Sequence, residues 1–357
     1  MKRRILVLFF CVIAANAFSD SPVIVRLLTD ASGLDDKAFN AAAWRGILEF
    51  YGDTWDNTPK RGRLYDVITA KYHDMYIPSL MRAASEGCDL IAAAGFMWAD
   101  AIAEAANGNP GQKYMIVDVD WLDAPNVLQA VFAEHEGSFL VGAAAALKAK
   151  EDRIANPRFG FIGGVPGGVL TRFEVGYVQG ILSVLPDAEI VDYYVNNWSD
   201  SASAKNQAKL WYDSGVYAIY SAAGGSGDGV IAQAREYRAA GRNVWAIGVD
   251  CDQYEDGLYN ASESAVLTSM VKLVENSLLY ALNAVRNNAF RGGIITFDLA
   301  KDGVGYTAAN RALGNSIKNE LERIRQRIIK GGIEVASTYA KAKRLPGFPQ
   351  NLKARDD

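Results

Sequence analysis

Short apolar runs alternate with longer stretches of helical periodicity, and the alternation is run through twice. VIVRLLT (23–29) precedes KAFNAAAWRGILEFYG, and DLIAAAG (89–95) precedes ADAIAEAANG. KYMIVDVD (113–120) and NVLQAVFA (126–133) lead into the helical SFLVGAAAALKAK (138–150). The series then restarts with RFGFIGG (158–164) before VLTRFEVGYVQGILSVL, EIVDYYV before ASAKNQAKLWYDSG, VYAIYSAAG before GVIAQAREYRAAG, and finally NVWAIGVD. Strands this evenly apolar are buried on both faces, as in parallel sheets covered by helices on each side. Two such series predict two α/β lobes, with the break near residues 134–157. At 357 residues the chain also exceeds what one core usually supports.

Beyond the second series, VLTSMVKLVENSLLYALNAVRN (266–287) reads as one long helix. GIITFDLAKDGVGYT (293–307) reads as a strand and a turn, and SIKNELERIRQRIIKGG (316–332) as an amphipathic helix ending at glycine. No internal sequence repeat, low-complexity tract or Pro-rich linker is visible, so several short crossings rather than one tether should join the lobes. The expected division is 18–135 plus about 258–290 for the first lobe and 136–257 plus about 291–357 for the second.

The N-terminus stands apart. MKRR is basic, ILVLFFCVIAA is apolar but too short to span a bilayer, and ANA at 15–17 has the small-residue pattern of a cleavage site. This is a secretory signal peptide, residues 1–17, and the protein is expected to be exported, to the periplasm or the outer face of the cytoplasmic membrane. A lipoprotein reading with Cys11 acylated is weaker, because Phe10 precedes it where a small residue is wanted. Cleavage removes three positive charges from a formal net charge of −4 and leaves −7. An acidic surface argues against nucleic acid or anionic lipid as a partner. Cys88 and Cys251 survive cleavage, each in a strand context, and read as two separate buried thiols.

In open parallel sheets, ligands gather at the carboxyl ends of strands. After the first strand come Asp30 and the segment DDKAFN, holding Asp35, Asp36, Phe39 and Asn40. After DLIAAA come Gly95 and Phe96, after VYAIY comes SAAGGSGDG, and after NVWAIGV comes Asp250. Asp35 and Asp36 suit a helix cap, and Trp44 and Ile47 suit packing. On the long-helix reading, Lys272 lies in the first turn on the face of Thr268. GGSGDG lacks the lysine of a Walker loop, and GFIGGVPGG lacks dinucleotide spacing. There is no H-E-x-x-H, C-x-x-C or G-x-S-x-G. Of the two histidines, His135 in FAEHEGSF reads as a strand-end hinge rather than a metal ligand. These absences argue against an enzyme, a metal site or a cofactor.

With these segments in view, the chain resembles the basic membrane protein family of exported substrate-binding proteins, and within it the purine nucleoside receptors of ABC transporters. The likeness runs in order through TDASGLDDKAFNAAAWRG, LIAAAGFMWADAIAEAA, VFAEHEGSFLVGAAAALKAK, FGFIGGVPGGVLTRFEVGYVQG, YSAAGGSGDGV, WAIGVDCDQ and VLTSMVK. It implies two Rossmann-like lobes of type I periplasmic-binding-protein architecture, joined by three crossings and closing on a ligand. It implies that Asp30 bonds the base, that Phe39 stacks on one purine face, and that an aromatic before GG-x-G stacks on the other. Tyr220 is the nearest such ring, with Tyr217 also close. Asp250 and Lys272 would hold the ribose hydroxyls, and Asn40, Gly225 and Gly227 would complete the polar lining. The implied partners are guanosine, inosine or adenosine and an ABC permease, with a monomeric protein that meets the membrane only through a lipid anchor or that permease. Cys251 stands where the family commonly has serine. A sugar-binding protein of the same shape and an exported nucleoside hydrolase are the alternatives. The hydrolase lacks the expected aspartate spacing.

Overall fold

The computed structural model describes residues 22–31, 33–36, 39–350 and 352. The expected signal peptide and Cys11 therefore lie outside the described residues.

Twelve strands are present among these residues, in two six-stranded sheets. In chain order they are β1 (Val25–Thr29), β2 (Tyr65–Thr69), β3 (Leu90–Ala93), β4 (Tyr114–Val117), β5 (Val127–Phe132) and β6 (Arg158–Gly163). Then come β7 (Glu189–Tyr194), β8 (Val216–Ala222), β9 (Trp245–Asp250), β10 (Val266–Lys272), β11 (Gly293–Phe297) and β12 (Val304–Tyr306). The first sheet has the order β11-β5-β4-β3-β1-β2 and is parallel throughout. The second has the order β12-β10-β9-β8-β6-β7 and is parallel except where β12 pairs with β10. This is the two-lobed α/β architecture of the type I periplasmic binding proteins.

Helices α1 (Phe39–Tyr51), α2 (Tyr76–Ser85) and α3 (Ala99–Gly108) follow the first three strands. Helix α4 (Glu134–Glu151) leads out of β5, and α5 (Gly168–Val184), α6 (Ser201–Asp213) and α7 (Asp228–Ala239) cover the second sheet. Next come α8 (Val274–Arg286), α9 (Asn315–Ile329) and the short α10 (Tyr339–Ala342). Trp44 and Ile47 of α1 are buried, as their spacing predicts. The β2–α2 unit has no counterpart in the sequence reading. Its strand YDVIT is only partly buried and its helix opens with a proline in the first turn, a legible start signal.

Two expectations are corrected by the chain path. Residues 266–287 are not one helix: Val266–Lys272 is β10, held between β9 and β12, and the helix begins at Val274. Lys272 and Thr268 still share a side, now by the strand's period of two. The division of the lobes also differs. β10, expected in the first lobe, belongs to the second sheet, and only α8 returns to pack on α1. β11, expected in the second lobe, adds to the first sheet beside β5. The chain crosses between lobes after β5, after β10 and between β11 and β12. The first and last crossings are pinned together, since Ala133 N–H donates to the Phe297 carbonyl at 3.0 Å.

α4, the first element past a crossing, is buried over most of its circumference and packs closely on α5. Glycines make that approach possible: a Cβ at Gly180 would run into the Phe139 carbonyl of α4.

Candidate functional site

The carboxyl ends of both sheets open on one cavity of about 560 Å³, well within the usual range of small-molecule sites. From the first lobe come Asp30 after β1, Phe39 and Asn40 at the start of α1, Gly95 and Phe96 after β3, and Asp118 after β4. From the second come Phe173 of α5, Trp198 after β7, Gly225 after β8, Asp250 at the end of β9, and Lys272 at the end of β10.

Local backbone aims these groups. Gly95 has φ +98° and lets the chain pass close to the Phe39 ring. Asp118 and Asp250 both adopt φ +65°, a left-handed conformation that aspartate tolerates better than most residues. It turns each carboxylate into the cleft as its strand ends. Asn40 Nδ2 donates to Asp30 Oδ1 at 3.0 Å, so the amide and the carboxylate act as one polar edge.

The cleft base is ionic. Lys272, almost wholly buried, places its ammonium 2.6 and 2.8 Å from the two Asp118 oxygens and 3.0 Å from Glu134 Oε1. Glu134 is itself inaccessible, and its other oxygen accepts from Arg172 Nε at 2.6 Å. The rings of Phe132, Phe39 and Phe173 surround the ammonium, with centroids at 5.0, 5.4 and 5.9 Å. Burial alone would pull the Lys272 ammonium down, but Asp118, Glu134 and Asp250 outweigh it and hold its pKa above the ordinary lysine value. Lys272 therefore stays charged. Burial pushes Asp118 up against the pull of Lys272, while the cations Lys272 and Arg172 keep Glu134 below the usual range in spite of burial. Because Asp118 follows a strand of the first sheet and Lys272 ends one of the second, their pair ties the lobes together across the cleft.

Eight of the ten residues singled out from the sequence line this cavity: Asp30, Phe39, Asn40, Gly95, Phe96, Gly225, Asp250 and Lys272. Tyr220 and Gly227 do not. Tyr220 points the other way from its strand and is fully buried, with its hydroxyl 3.3 Å from Ser138 Oγ and its ring against Phe161 and Tyr177. Tyr217 is also core, donating to Asp152 at 2.8 Å. Gly227 is buried beneath the Ser221 side chain. The accessible ring in this part of the second lobe is Trp198, about 38% exposed, whose indole lies on the backbone of Gly164 and Gly224. GFIGGVPGG thus includes a glycine that seats an aromatic side chain. Asp118, Phe173, Trp198 and the supporting Glu134 were missed. Asp118 and Trp198 follow strands β4 and β7, so carrying the strand-end rule through every strand would have found them.

Asp35 is exposed on a 3₁₀ turn at Gly33–Asp36 and does not line the cavity, and the side chain of Asp36 lies outside the described residues. His135 sits in the first turn of α4 rather than at a strand end. Cys88 is a buried free thiol, whereas Cys251 is a free, half-buried thiol that faces the cleft. Burial, reinforced by Asp250, pushes Cys251 up to about 12.

A family model described as "ABC transporter substrate-binding protein PnrA-like" matches residues 24–339. The chain belongs to that family. Among its curated relatives is the "ABC transporter nucleoside-binding protein BmpA" of Lactococcus lactis subsp. cremoris, 35% identical, with 87% of this chain and 88% of that one covered. "Basic membrane protein A1" of Borrelia garinii subsp. bavariensis is 29% identical, with 94% and 96% covered. A solved ABC transporter solute-binding protein from Aeropyrum pernix shares the fold with a TM-score of 0.75 at 24% identity, covering 90% of this chain and 96% of that chain.

For a PnrA-like substrate-binding protein, this lining sets terms on the ligand. Five carboxylates, on Asp30, Asp118, Asp228, Asp250 and Asp256, face two cations, Lys272 and Arg235. Asp228 occupies the first turn of α7, where an anion would otherwise be favoured. This excess of carboxylates suits a ligand without phosphate, and the rings in the lining offer it apolar surface.

Proposed function

We propose that this protein binds a purine nucleoside between its lobes and delivers it, outside the cytoplasm, to an ABC permease. The observation that carries the reading is one cavity holding an aromatic surface from each lobe, the Asp30–Asn40 edge, and both the Asp250 carboxylate and the Lys272 ammonium in its lining. Phe39 and Trp198 supply the two rings, Trp198 taking the place expected of Tyr220. A base stacked on an aromatic side chain gains about 1–3 kcal/mol per ring. A base edge bearing N–H groups finds a carboxylate in Asp30. A ribose diol finds a charged acceptor in Asp250 and a charged donor in Lys272, and such charge-assisted bonds are the stronger kind. The name of the Lactococcus relative, nucleoside-binding, supports the same class of ligand. Closure of the lobes on the ligand would be the state the permease reads.

The test is a thermal-shift and calorimetric screen of the protein from residue 18 against inosine, guanosine, adenosine, the free bases, ribose and common sugars. The expected result is a large upward shift with one or more purine nucleosides and none with ribose. A shift with a sugar and none with any nucleoside would refute the reading. Asp250→Ala should weaken nucleoside binding strongly in a folded protein, and unchanged affinity would remove the ribose role.

A further inference from the structure

Glu134 is the most deeply buried carboxylate of the cleft base and does not reach the cavity surface. Its two oxygens are divided, Oε1 lying 3.0 Å from Lys272 and Oε2 2.6 Å from Arg172. It opens α4, where the helix N-terminus favours a negative charge. A carboxylate held this far from water is costly unless it is paired. One bland account is that it simply clips α4 to α5 through Arg172, and the contact with Lys272 says more.

The Lys272 ammonium donates to both oxygens of Asp118 from the first lobe, and Glu134 Oε1 of the second lobe lies 3.0 Å from it as an ion-pair contact without hydrogen-bond geometry. Asp250 is close enough to act on the same charge. With Glu134 in place, the ammonium is shared between the lobes. Without it, the ammonium has one strong partner left and settles on Asp118, away from a ligand that needs a donor beside Asp250.

We infer that Glu134 is a positioning residue that makes the site prefer a nucleoside to its free base, by holding the Lys272 ammonium where a sugar hydroxyl can accept from it. This rests on the reading of the cavity as a nucleoside site. Glu134 never touches the ligand, so its effect must pass through Lys272 and reach only ligands that carry the sugar.

The experiment is a calorimetric comparison of inosine and hypoxanthine on the wild type, Glu134→Gln, Lys272→Met and the double variant. Glu134→Gln should lower inosine affinity by roughly ten- to a hundredfold, the worth of one charge-assisted hydrogen bond, and leave hypoxanthine within about threefold. In the Lys272→Met background the Gln substitution should cost inosine almost nothing more, since the two act as a unit. Equal weakening of inosine and hypoxanthine would make Glu134 a purely structural residue and overturn the inference, as would full additivity in the double variant. Should Glu134→Gln fail to fold, Glu134→Asp decides. Its shorter arm lengthens the Lys272 contact and should reduce the inosine-to-hypoxanthine preference several-fold, and an unchanged preference refutes the proposal. A wild type that binds neither compound would instead remove the nucleoside reading, and this inference with it.

Discussion

Replacing Trp198 by alanine separates ligand stacking from core packing more cleanly than any other change. The indole is about 38% exposed, lies on Gly164 and Gly224, and lines the cavity. The Trp198 carbonyl accepts from Ser226 N–H at 3.0 Å through the backbone, so that bond survives the substitution. What is lost is one face of the stack, about 1–3 kcal/mol, or roughly 5- to 150-fold in affinity at about 1.4 kcal/mol per tenfold. The unliganded melting temperature should move only slightly, because the ring is half in water and much of its contact is with glycine backbone. Tyr220→Ala should do the reverse. It empties a fully buried site against Phe161, Phe173 and Tyr177, a change that costs about 3–5 kcal/mol of stability. Isothermal titration with inosine, paired with urea unfolding of each unliganded variant, measures both quantities. If Trp198→Ala binds inosine as tightly as the wild type, Trp198 is not the second stacking surface. If Tyr220→Ala loses affinity at unchanged stability, its placement in the core is wrong.

Moving the support should act like removing the ring: Gly164→Ala puts a Cβ into the Trp198 indole and should weaken inosine binding with only a small stability loss, which titration and melting together will show. Burial pulls the His135 imidazole down to about 4. The unfolded chain then binds a proton near pH 6.5 that the folded one refuses, so stability is complete above pH 6.5 and declines as pH falls toward 4. The decline is at most about 3 kcal/mol. Urea unfolding across pH 4–8 should show it, and His135→Asn should flatten the slope; an identical slope in that variant assigns the loss elsewhere. Cys251 faces the cleft with its thiol held protonated at neutral pH, so N-ethylmaleimide should label it slowly at pH 7.5 and more slowly still under saturating inosine. A labelling rate indifferent to inosine would place the ligand away from Asp250.

What could be read from the sequence was set by periodicity and by position at strand ends. The two runs of apolar strands announce two parallel sheets, because burial on both faces leaves no room for polar alternation. The segment at 266–272 was misread for a physical reason: Leu267, Met270, Val271 and Val274 fall at helical spacing, while a strand buried on both faces shows no alternation to contradict it. Only neighbours β9 and β12, supplying backbone partners on both sides, decide for the strand. Tyr220 was chosen for its nearness to GGSGDG, but along β8 alternate side chains face opposite layers, and its layer is the one against α5. Trp198 was legible only as a residue following β7; its seat is built by Gly164 and Gly224, distant in the chain. Glu134 stood one residue from the expected hinge and was invisible as a site residue because its role is defined by Lys272 and Arg172, brought to it by other strands and helices.

The sheet orders reveal a repeat that the sequence conceals. β1 to β5 correspond in order and direction to β6 to β10, and β11 and β12 each add an outer strand from the last crossing. Asp118 and Asp250 then occupy equivalent places, each at the end of the fourth strand of its lobe with φ +65°. The fifth strands break the symmetry: β5 ends in Phe132, and β10 ends in Lys272. One lobe therefore brings a ring and the other an ammonium to the same spot, 5.0 Å apart. Both equivalent carboxylates act on the Lys272 ammonium, and its ion pair with Asp118 is made across the lobes. A ligand hydroxyl that takes a hydrogen bond from Lys272 must compete with the contact that joins the lobes. On the proposed reading, occupancy and lobe position would be coupled through that ammonium, because the two matching strand ends carry unlike residues, Phe132 and Lys272.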